Sequence, residues 1–292
     1  MNKVIDDDLL NFMGEQESQY LISPASLIHE VNERIQYGDQ CAGEKLPWSK
    51  TQNSFGMRKG EVTLWAGING HGKSNLLGQV VGWNLQSKWL IASMEMLPAA
   101  TMQRMVKQIA GSGNPSREYT ENVLRWTDNK LWLYDQSDTI AVERILALIR
   151  YAAANTIDHV VIDSLMKCGI KKDNLDGQAW FVDKLCWLAK ANKIHVHLVH
   201  HIRKGQDEYR LPSKFDIRGA GEITDLVDNV IIIHRNKRKE KGEGDQNAAD
   251  CWLKIDKQRH FSWEGTFGLF YHKEAGQYSA DPHKLMVHPL NK

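Results

Sequence analysis

Glycines, a lysine and a serine occur in the spacing GxxxxGK[ST] between residues 67 and 74, which read GINGHGKS. Glycines let several backbone N–H groups turn toward one anion, and a helix that starts at the lysine adds the positive end of its dipole. Lys73 would neutralise the β- and γ-phosphates of a nucleoside triphosphate, and the Ser74 hydroxyl would ligate Mg²⁺. The motif therefore predicts a nucleotide site whose cofactor-binding residues are Gly67, Asn69, Gly70, His71, Gly72, Lys73, Ser74 and Asn75.

Two carboxylates follow apolar runs elsewhere in the chain. Asp163 ends the run HVVID (159–163), and the end of a buried strand is where a phosphate-binding loop needs its second magnesium ligand. Glu95 follows the run WLIAS (89–93) in the sequence SMEM. From the residues alone, Glu95 is either the group that orients and deprotonates an attacking water or a solvated loop glutamate. Asp163 has the alternative of capping the next helix.

The segment IHVHLVHH (194–201) contains four histidines. His195 and His197 share one face of a predicted strand. No carboxylate or cysteine joins them at metal-ligand spacing in the sequence, so a zinc site is disfavoured. A histidine at the carboxyl end of this strand would instead contact the γ-phosphate and report its loss.

Alternating strands and helices must position these residues. Strands that are apolar throughout and separated by helices indicate an α/β fold with a mostly parallel, doubly wound sheet and helices on both faces. Two later runs, 251–256 and 266–271, indicate an antiparallel extension at the C-terminal edge, and residues 234–245 are predicted to form a solvated loop. The other predicted elements are strands at 62–66, 89–93, 131–134, 159–162, 194–200 and 230–234 and helices at 73–86, 99–110, 139–153 and 177–192.

The N-terminal segment differs in character from the rest. Its first 40 residues carry eight acidic groups against Lys3 and Arg34, a net charge of about −6. Ser23 and Pro24 can start a helix, and the apolar side chains that follow recur at helical spacing. We therefore predict an acidic segment over 1–53, with a helix at about 24–37 and a polar linker from Gly38 to Asn53, followed by one domain over 54–292.

Composition excludes several classes of protein. The chain has 292 residues, 42% apolar and 25% charged, and these values are typical of a folded globular protein. No apolar stretch is long enough to cross a bilayer, and the N-terminus lacks the charge pattern of a signal peptide. The four cysteines are far apart, which fits a reducing cytoplasm, the localisation we expect. The ten tryptophans, among them Trp180 and Trp187, fall mostly on predicted core elements and are predicted to pack there.

The order of the motifs resembles that of the superfamily 4 replicative helicases, which include DnaB-type helicases, phage primase–helicases and Twinkle. The resemblance covers about residues 45–275 and lies in the runs GMRKGEVTLWAGINGHGKS, SMEM, HVVIDSL, LVHHIRK, DIRGAGEITDLVDNVII and KIDKQR. It implies a RecA-like core assembled as a ring of six or seven subunits. ATP with Mg²⁺ would lie between subunits and single-stranded DNA in the central channel, with translocation 5′ to 3′.

The resemblance also assigns roles to residues. It makes Lys73 a catalytic cation, Glu95 the catalytic base and His201 the γ-phosphate sensor, with His200 as the alternative register. Lys257 and Arg259 match the pair that reaches into the neighbouring subunit's site, where a cation stabilises transition-state charge only in an assembled ring. The bases of the nucleotides would pack on Arg235 and Tyr271.

The contacts to DNA would come from loops that face the channel. The element RGAG supplies Arg218, Gly219 and Gly221, which would grip phosphates. Such contacts follow the backbone and not the bases, so sequence preference would be weak. Further candidates are Arg203, Lys204, Arg210 and Lys214 in the preceding loop and Lys171 and Lys172 after the Asp163 strand.

Two other functions remain open at this point. The shared core also fits a RecA- or RadA-type strand-exchange ATPase, and a non-motor ATPase could act as a helicase loader or accessory factor. The helix at 24–37 occupies the position of the family's linker helix, which docks on the adjacent subunit. Because little chain precedes residue 45, we expect priming or loading to come from a separate protein, in a phage or other mobile element.

Overall fold

The computed structural model describes residues 22–41, 43–136, 138–171, 173–203, 207–260 and 263–291. The chain divides into two compact units, one ending at Ala42 and one beginning at Gly43. In the first unit, a 3₁₀ turn at Pro24–Leu27 leads into helix α1, Ile28–Cys41. The Ser23 hydroxyl accepts a hydrogen bond from the Ala25 N–H, as expected of a cap. Along α1 the predicted apolar stripe is exposed, to 74% at Ile35.

The second unit alternates strands and helices over most of its length. Its strands are β1 Val62–Gly67, β2 Trp89–Ser93, β3 Leu131–Leu133, β4 His159–Asp163, β5 His195–His201, β6 Asn229–Arg235, β7 Cys251–Gln258, β8 Gly265–His272 and β9 Gln277–Ser279. Its helices are α2 Lys73–Trp83, α3 Pro98–Ala110, α4 Arg117–Thr127, α5 Val142–Ala154, α6 Leu175–Asn192, α7 Ala220–Leu226 and α8 Lys237–Glu240. None of the described helices has both the length and the hydrophobicity to span a bilayer.

All nine strands form one sheet, in the order β3-β2-β4-β5-β1-β6-β7-β8-β9. Strands β1 to β6 pair in parallel, whereas β6–β7, β7–β8 and β8–β9 pair antiparallel. The predicted fold class is therefore confirmed, including the antiparallel edge. In this strand order the carboxyl ends of β1, β2, β4, β5 and β6 meet at one edge, and that edge is where ligands bind in open α/β sheets.

Helices cover both faces of the sheet. Along β4, Val160 and Ile162 point into a core formed with α5, α6 and α7, and Val161 points into a core formed with α2 and α3. This alternation follows from the two-residue period of a strand, and burial on both sides explains why the run is apolar throughout. The sheet is thus a rigid support for the loops at its edge.

The structure differs from the sequence predictions in four places. The segment after Gly43, predicted as a linker, buries Leu46, Trp48 and Phe55, so the second unit starts earlier than residue 54. Helices α4, α7 and α8 and strand β9 were not predicted, and α8 lies within the presumed loop at 234–245. Helices α7 and α8 and strand β9 are short, so periodicity gave little signal there. Helix α4 does carry an apolar stripe, formed by Tyr119, Val123 and Trp126, which sequence reasoning missed. Trp180 and Trp187 are 51% and 58% exposed on α6, so the prediction that they pack in the core is wrong.

Candidate active site

The phosphate-binding loop connects the end of β1 to the start of α2. Gly70 and Gly72 have φ of +78° and +85°, conformations that favour glycine. A Cβ on Gly67 would lie 2.5 Å from the Ile233 carbonyl oxygen, and one on Gly72 would lie 2.4 Å from the Tyr278 hydroxyl. The glycines are therefore required by the close approach of β6 and β9 as well as by the turn.

Lys73 is the buried cation of this loop. Its Nζ donates hydrogen bonds to the carbonyl oxygens of Gly67 (3.0 Å) and Ile68 (3.1 Å), and its side chain is almost fully buried. Burial lowers the pKa of Lys73 to about 8. A bound triphosphate would supply the negative charge that a buried ammonium group requires.

Ser74 and Asp163 meet beside Lys73. The Ser74 hydroxyl donates to Asp163 Oδ2 at 2.5 Å, and burial raises the pKa of Asp163. Ser74 lies in the first turn of α2 and Asp163 at the carboxyl end of β4. Their hydroxyl and carboxylate oxygens are donors that Mg²⁺ prefers, and the ion would complete its shell with water and phosphate oxygens. The two residues thus fit a magnesium ion carried in with a nucleotide.

Glu95, which follows β2, faces the same cleft. Its Oε1 lies 3.7 Å from His201 Nε2 and accepts a hydrogen bond from the Ser164 hydroxyl at 2.8 Å. The His201 imidazole, assisted by Ser164, lowers the pKa of Glu95 to about 2 despite partial burial. Glu95 is therefore ionised at neutral pH and can accept a hydrogen bond from a water molecule in the cleft. The Ser164 contact was not foreseen from the sequence.

The two adjacent histidines of β5 point to opposite sides, as strand geometry requires. His201 lines the nucleotide cleft. His200 is fully buried on the other face, where burial lowers its pKa to about 4 and its Nε2 lies 2.9 Å from the Arg218 carbonyl oxygen. Because a carbonyl only accepts, neutral His200 carries its proton on Nε2. The Arg218 N–H in turn donates to the His201 carbonyl oxygen at 3.3 Å, so both histidines hold the Arg218 backbone.

Arg235 and Tyr271, predicted to pack on the base, also line the nucleotide cleft. The Arg235 backbone N–H donates to Nδ1 of the loop residue His71 at 3.0 Å, and the Arg235 guanidinium pairs with Glu240. The Tyr271 ring packs on Tyr278 with 4.9 Å between centroids. Asn75 donates to the Gly276 carbonyl oxygen at 2.8 Å, tying α2 to the β8–β9 turn.

Most of the predicted nucleotide-site residues line one open cleft of about 520 Å³: Asn69, Gly70, Gly72, Lys73, Ser74, Asn75, Glu95, Asp163, His201, Arg235 and Tyr271. Gly67 and His71, which were also predicted to bind nucleotide, are not part of its lining. Four charged residues of its wall were missed by sequence reasoning: Arg104 and Lys107 on α3 and Lys273 and Glu274 in the β8–β9 turn. Arg104 and Lys107 are spaced three apart on the helix that follows Glu95, a pattern that could have indicated them. The turn residues gave no comparable signal, because their position depends on pairing at the far edge of the sheet.

Lys257 and Arg259 lie elsewhere, at the C-terminal end of α7. Lys257 Nζ donates to the carbonyl oxygens of Thr224 (2.7 Å) and Asp225 (2.9 Å). Arg259 donates to the carbonyl oxygens of Asp225 and Leu226, and its Nε lies 3.2 Å from Asp228 Oδ1. Within one chain both cations therefore cap a helix whose C-terminus is negative. The structure does not bring them to Glu95 of the same chain.

The predicted DNA-binding residues fall on loops at the carboxyl ends of β4 and β5. Arg218 and Gly219 precede α7, where Gly219 has φ +67°, and Gly221 lies in its first turn. Arg210 pairs with Asp216 at 2.8 Å, and the Lys214 ammonium lies 3.6 Å from Glu264. The Arg203 N–H donates to the Asp216 carbonyl oxygen, and Lys171 is exposed after β4. Lys172 and Lys204 lie outside the described residues.

His159, His195 and His197 form a packed cluster at the opposite edge of the sheet. His159 stacks on Trp89, His159 Nδ1 lies 3.2 Å from His197 Nε2, and His195 Nδ1 lies 2.6 Å from the Arg58 carbonyl oxygen. Burial lowers the pKa of His195 to about 3. The described residues contain no group of histidine, cysteine or carboxylate side chains arranged to hold a metal. These three rings are buried core residues.

The strand order and the cleft define a P-loop nucleotide-binding domain of the RecA type. Residues 51–280 match the family described as the DnaB-like helicase C terminal domain, and the chain belongs to this family.

Relatives and solved structures agree with this assignment. The chain is 23% identical over 270 residues to the Twinkle homolog protein, chloroplastic/mitochondrial, of Arabidopsis thaliana, covering 82% of this chain and 37% of the relative. It is 24% identical over 212 residues to the DNA helicase/primase of Enterobacteria phage T3, covering 63% and 37%. The chain thus spans little more than a third of these relatives.

Two solved structures share the fold. A separately solved ATPase domain superposes with a TM-score of 0.76 at 17% identity, covering 88% of this chain and 98% of that chain. A DnaB-like replicative helicase, from a structure that describes its interactions with primase, superposes with a TM-score of 0.71 at 17% identity, covering 89% and 67%.

Proposed function

We propose that this chain is the motor of an ATP-dependent, ring-shaped DNA helicase that translocates 5′ to 3′ on single-stranded DNA and unwinds duplex during replication. The observation that carries the proposal is the grouping of Lys73, Ser74, Asp163, Glu95 and His201 in one cleft. A protein that only bound nucleotide would need the first three of these. Glu95, ionised and held beside His201, adds the base that hydrolysis requires.

Each of the cleft residues has a separate role in ATP hydrolysis. Lys73 would neutralise the β- and γ-phosphates, and Ser74 and Asp163 would hold Mg²⁺, whose charge would offset that of the phosphates. Glu95 orients a water molecule and accepts its proton, with Ser164 and His201 fixing the carboxylate. Arg235 and Tyr271 pack on the base, with His71 holding the backbone of Arg235.

Strand β5 connects the γ-phosphate site to the loop that contains Arg218, so release of the γ-phosphate affects that loop. His201 lies beside Glu95, and its carbonyl oxygen accepts the Arg218 N–H. A shift of His201 after phosphate release is therefore transmitted directly to the backbone of Arg218, which grips phosphates of the DNA. Arg203, Lys204, Arg210, Lys214, Lys171 and Lys172 contribute charge to the same DNA surface.

In a ring of subunits, each nucleotide cleft receives Arg259 from a neighbouring subunit, because Arg259 of the same chain does not reach it. Arg259, with Lys257, projects toward the nucleotide of a neighbouring subunit, where it stabilises charge in the transition state. The helicase therefore functions as a hexamer or heptamer with ATP between subunits, and helix α1 docks on the adjacent subunit through its exposed apolar stripe. A primase or loader on another chain would complete the system, in the cytoplasm of a bacterium or a phage-infected host.

The first test is the mass of the assembly in solution, with and without a non-hydrolysable ATP analogue and single-stranded DNA. A hexamer or heptamer that forms with ligands supports the ring motor. Strand displacement is then measured on forked duplexes with a 5′ or a 3′ tail, with Glu95→Gln as the inactive control. Hydrolysis without displacement on either fork contradicts the helicase assignment, and filaments that pair homologous strands would indicate a strand-exchange ATPase.

A further inference from the structure

Phe215 is an aromatic side chain held out into solvent. It lies in the 3₁₀ turn Lys214–Asp216 of the loop after β5, and it is 73% exposed. No other large apolar side chain among the described residues from Gly43 onward is as exposed. A phenylalanine in this position lacks the stabilisation that burial of an apolar ring normally provides. An exposed apolar side chain of this size can mark a binding surface.

The backbone on both sides of Phe215 is fixed. The Asp216 carboxylate accepts hydrogen bonds from the Ser213 N–H at 2.8 Å and from Arg210 Nη2 at 2.8 Å. The Lys214 N–H donates to Asp256 Oδ2 at 2.5 Å, which ties the turn to β7. Ile217, the next residue but one, is fully buried. The exposure of the ring is therefore a property of an anchored turn.

One cation, which also pairs with Glu264, lies over this ring, and other basic residues lie on the segments that anchor the turn. The Lys214 ammonium lies 5.8 Å from the centroid of Phe215, and Arg218 follows three residues later. Arg210 and Lys254 lie on the segments that anchor the turn, each beside an aspartate. A flat apolar face among cations is suited to a polyanion that also presents flat apolar rings, which is the chemistry of an unpaired nucleic-acid strand.

We propose that Phe215 stacks on an unpaired base of the single strand, a base contact that adds to the phosphate contacts of Arg218. This inference rests on the proposed function, since it assigns a further contact to the same DNA surface. A duplex hides its base faces in the stack, so the contact selects single strands. Every base has such a face, so the contact favours none of the four strongly.

The test measures the affinity of the full chain for a fluorescent oligo-dT strand by anisotropy, with a non-hydrolysable ATP analogue present. Phe215→Ala should weaken binding by about 5- to 100-fold, the range for loss of one stacked base. Phe215→Trp should restore it, and Phe215→Leu, which is apolar but not flat, should not. Val287→Ala removes another exposed apolar side chain and should leave affinity unchanged.

A strand of abasic sites separates stacking from phosphate contacts. It should bind the wild-type chain more weakly than oligo-dT does, and it should bind wild type and Phe215→Ala equally. Unchanged affinity of Phe215→Ala for oligo-dT overturns the proposal, as does an equal loss on both strands. The substitution could instead change the mass of the assembly while leaving the DNA affinity of the assembled form unchanged. In that case the phenyl ring of Phe215 contacts another subunit and not DNA, and the proposal is wrong. A wild-type chain that binds no DNA refutes the proposed function as well.

Discussion

Replacing Lys73 with methionine should stabilise the nucleotide-free chain while removing nucleotide binding. The Lys73 ammonium is 5% exposed, and burial lowers its pKa from the ordinary 10.5 to about 8. At about 1.36 kcal/mol for each pH unit, this difference corresponds to a cost of about 3 kcal/mol for holding the charge in the folded state. Methionine has a similar shape and carries no charge, so it avoids that cost.

The gain is reduced by the contacts that methionine cannot make. Lys73 Nζ donates to the carbonyl oxygens of Gly67 and Ile68, and each such hydrogen bond contributes about 1 kcal/mol. The net expectation near neutral pH is therefore a stabilisation of about 1 to 2 kcal/mol. Urea unfolding without nucleotide, at about pH 7, measures it. An ATP analogue should raise the midpoint of the wild type and leave that of Lys73→Met unchanged.

The pH dependence gives a second check with a definite sign. Between about pH 8 and 10.5 the unfolded state binds more protons at Lys73 than the folded state, so wild-type stability rises with pH through this interval. By about pH 9.5 the cost of the charge falls to about 1.4 kcal/mol, and the advantage of Lys73→Met should disappear. Substitution of the exposed Lys284 by methionine is the control and should show no such trend. A Lys73→Met chain that is less stable than wild type near neutral pH, or whose advantage does not change with pH, would refute the reasoning.

Three further predictions concern turnover. Glu95→Gln should lower single-turnover hydrolysis by about 10²- to 10⁴-fold while the nucleotide-induced rise in unfolding temperature is kept; loss of both would indicate a damaged fold. Arg259→Ala should also be inactive. Mixing it with Glu95→Gln should restore part of the ATPase activity, because some subunit interfaces then pair an intact Glu95 with an intact Arg259. No recovery of activity in mixed rings argues against action of Arg259 in trans. His200→Leu should keep basal ATPase and lose its stimulation by single-stranded DNA, since the Arg218 carbonyl loses its donor. His200→Gln, which keeps an N–H donor, should recover part of the stimulation, and equal effects of the two substitutions would contradict the positioning role.

Local patterns sufficed for most of the fold. The buried strands are short apolar runs, and β2 was predicted with its observed bounds at Trp89–Ser93. The helices on either face show the helical period because each has one buried side. Patterns failed where burial comes from remote segments. Trp48 is buried in a core cluster that includes Tyr278, 230 residues away, whose carbonyl oxygen accepts the indole N–H. Trp180 and Trp187 are exposed although the opposite side of α6 packs in the core.

The chemistry of the phosphate site could be predicted from the chain alone, because the phosphate-binding loop is contiguous and its glycines, lysine and serine act through neighbouring backbone. The way in which separate strand ends combine depends on the fold. It places Ser164 and His201 against Glu95, His200 against Arg218, and Lys257 and Arg259 on the end of α7. These contacts join residues at least 18 positions apart, so no local spacing specifies them. Those of Glu95 follow from the order of strands in the sheet, which brings the carboxyl ends of β2, β4 and β5 to one edge. Those of Lys257 and Arg259 follow from the antiparallel pairing of β7 with β6, which places the end of β7 beside the residues between α7 and β6.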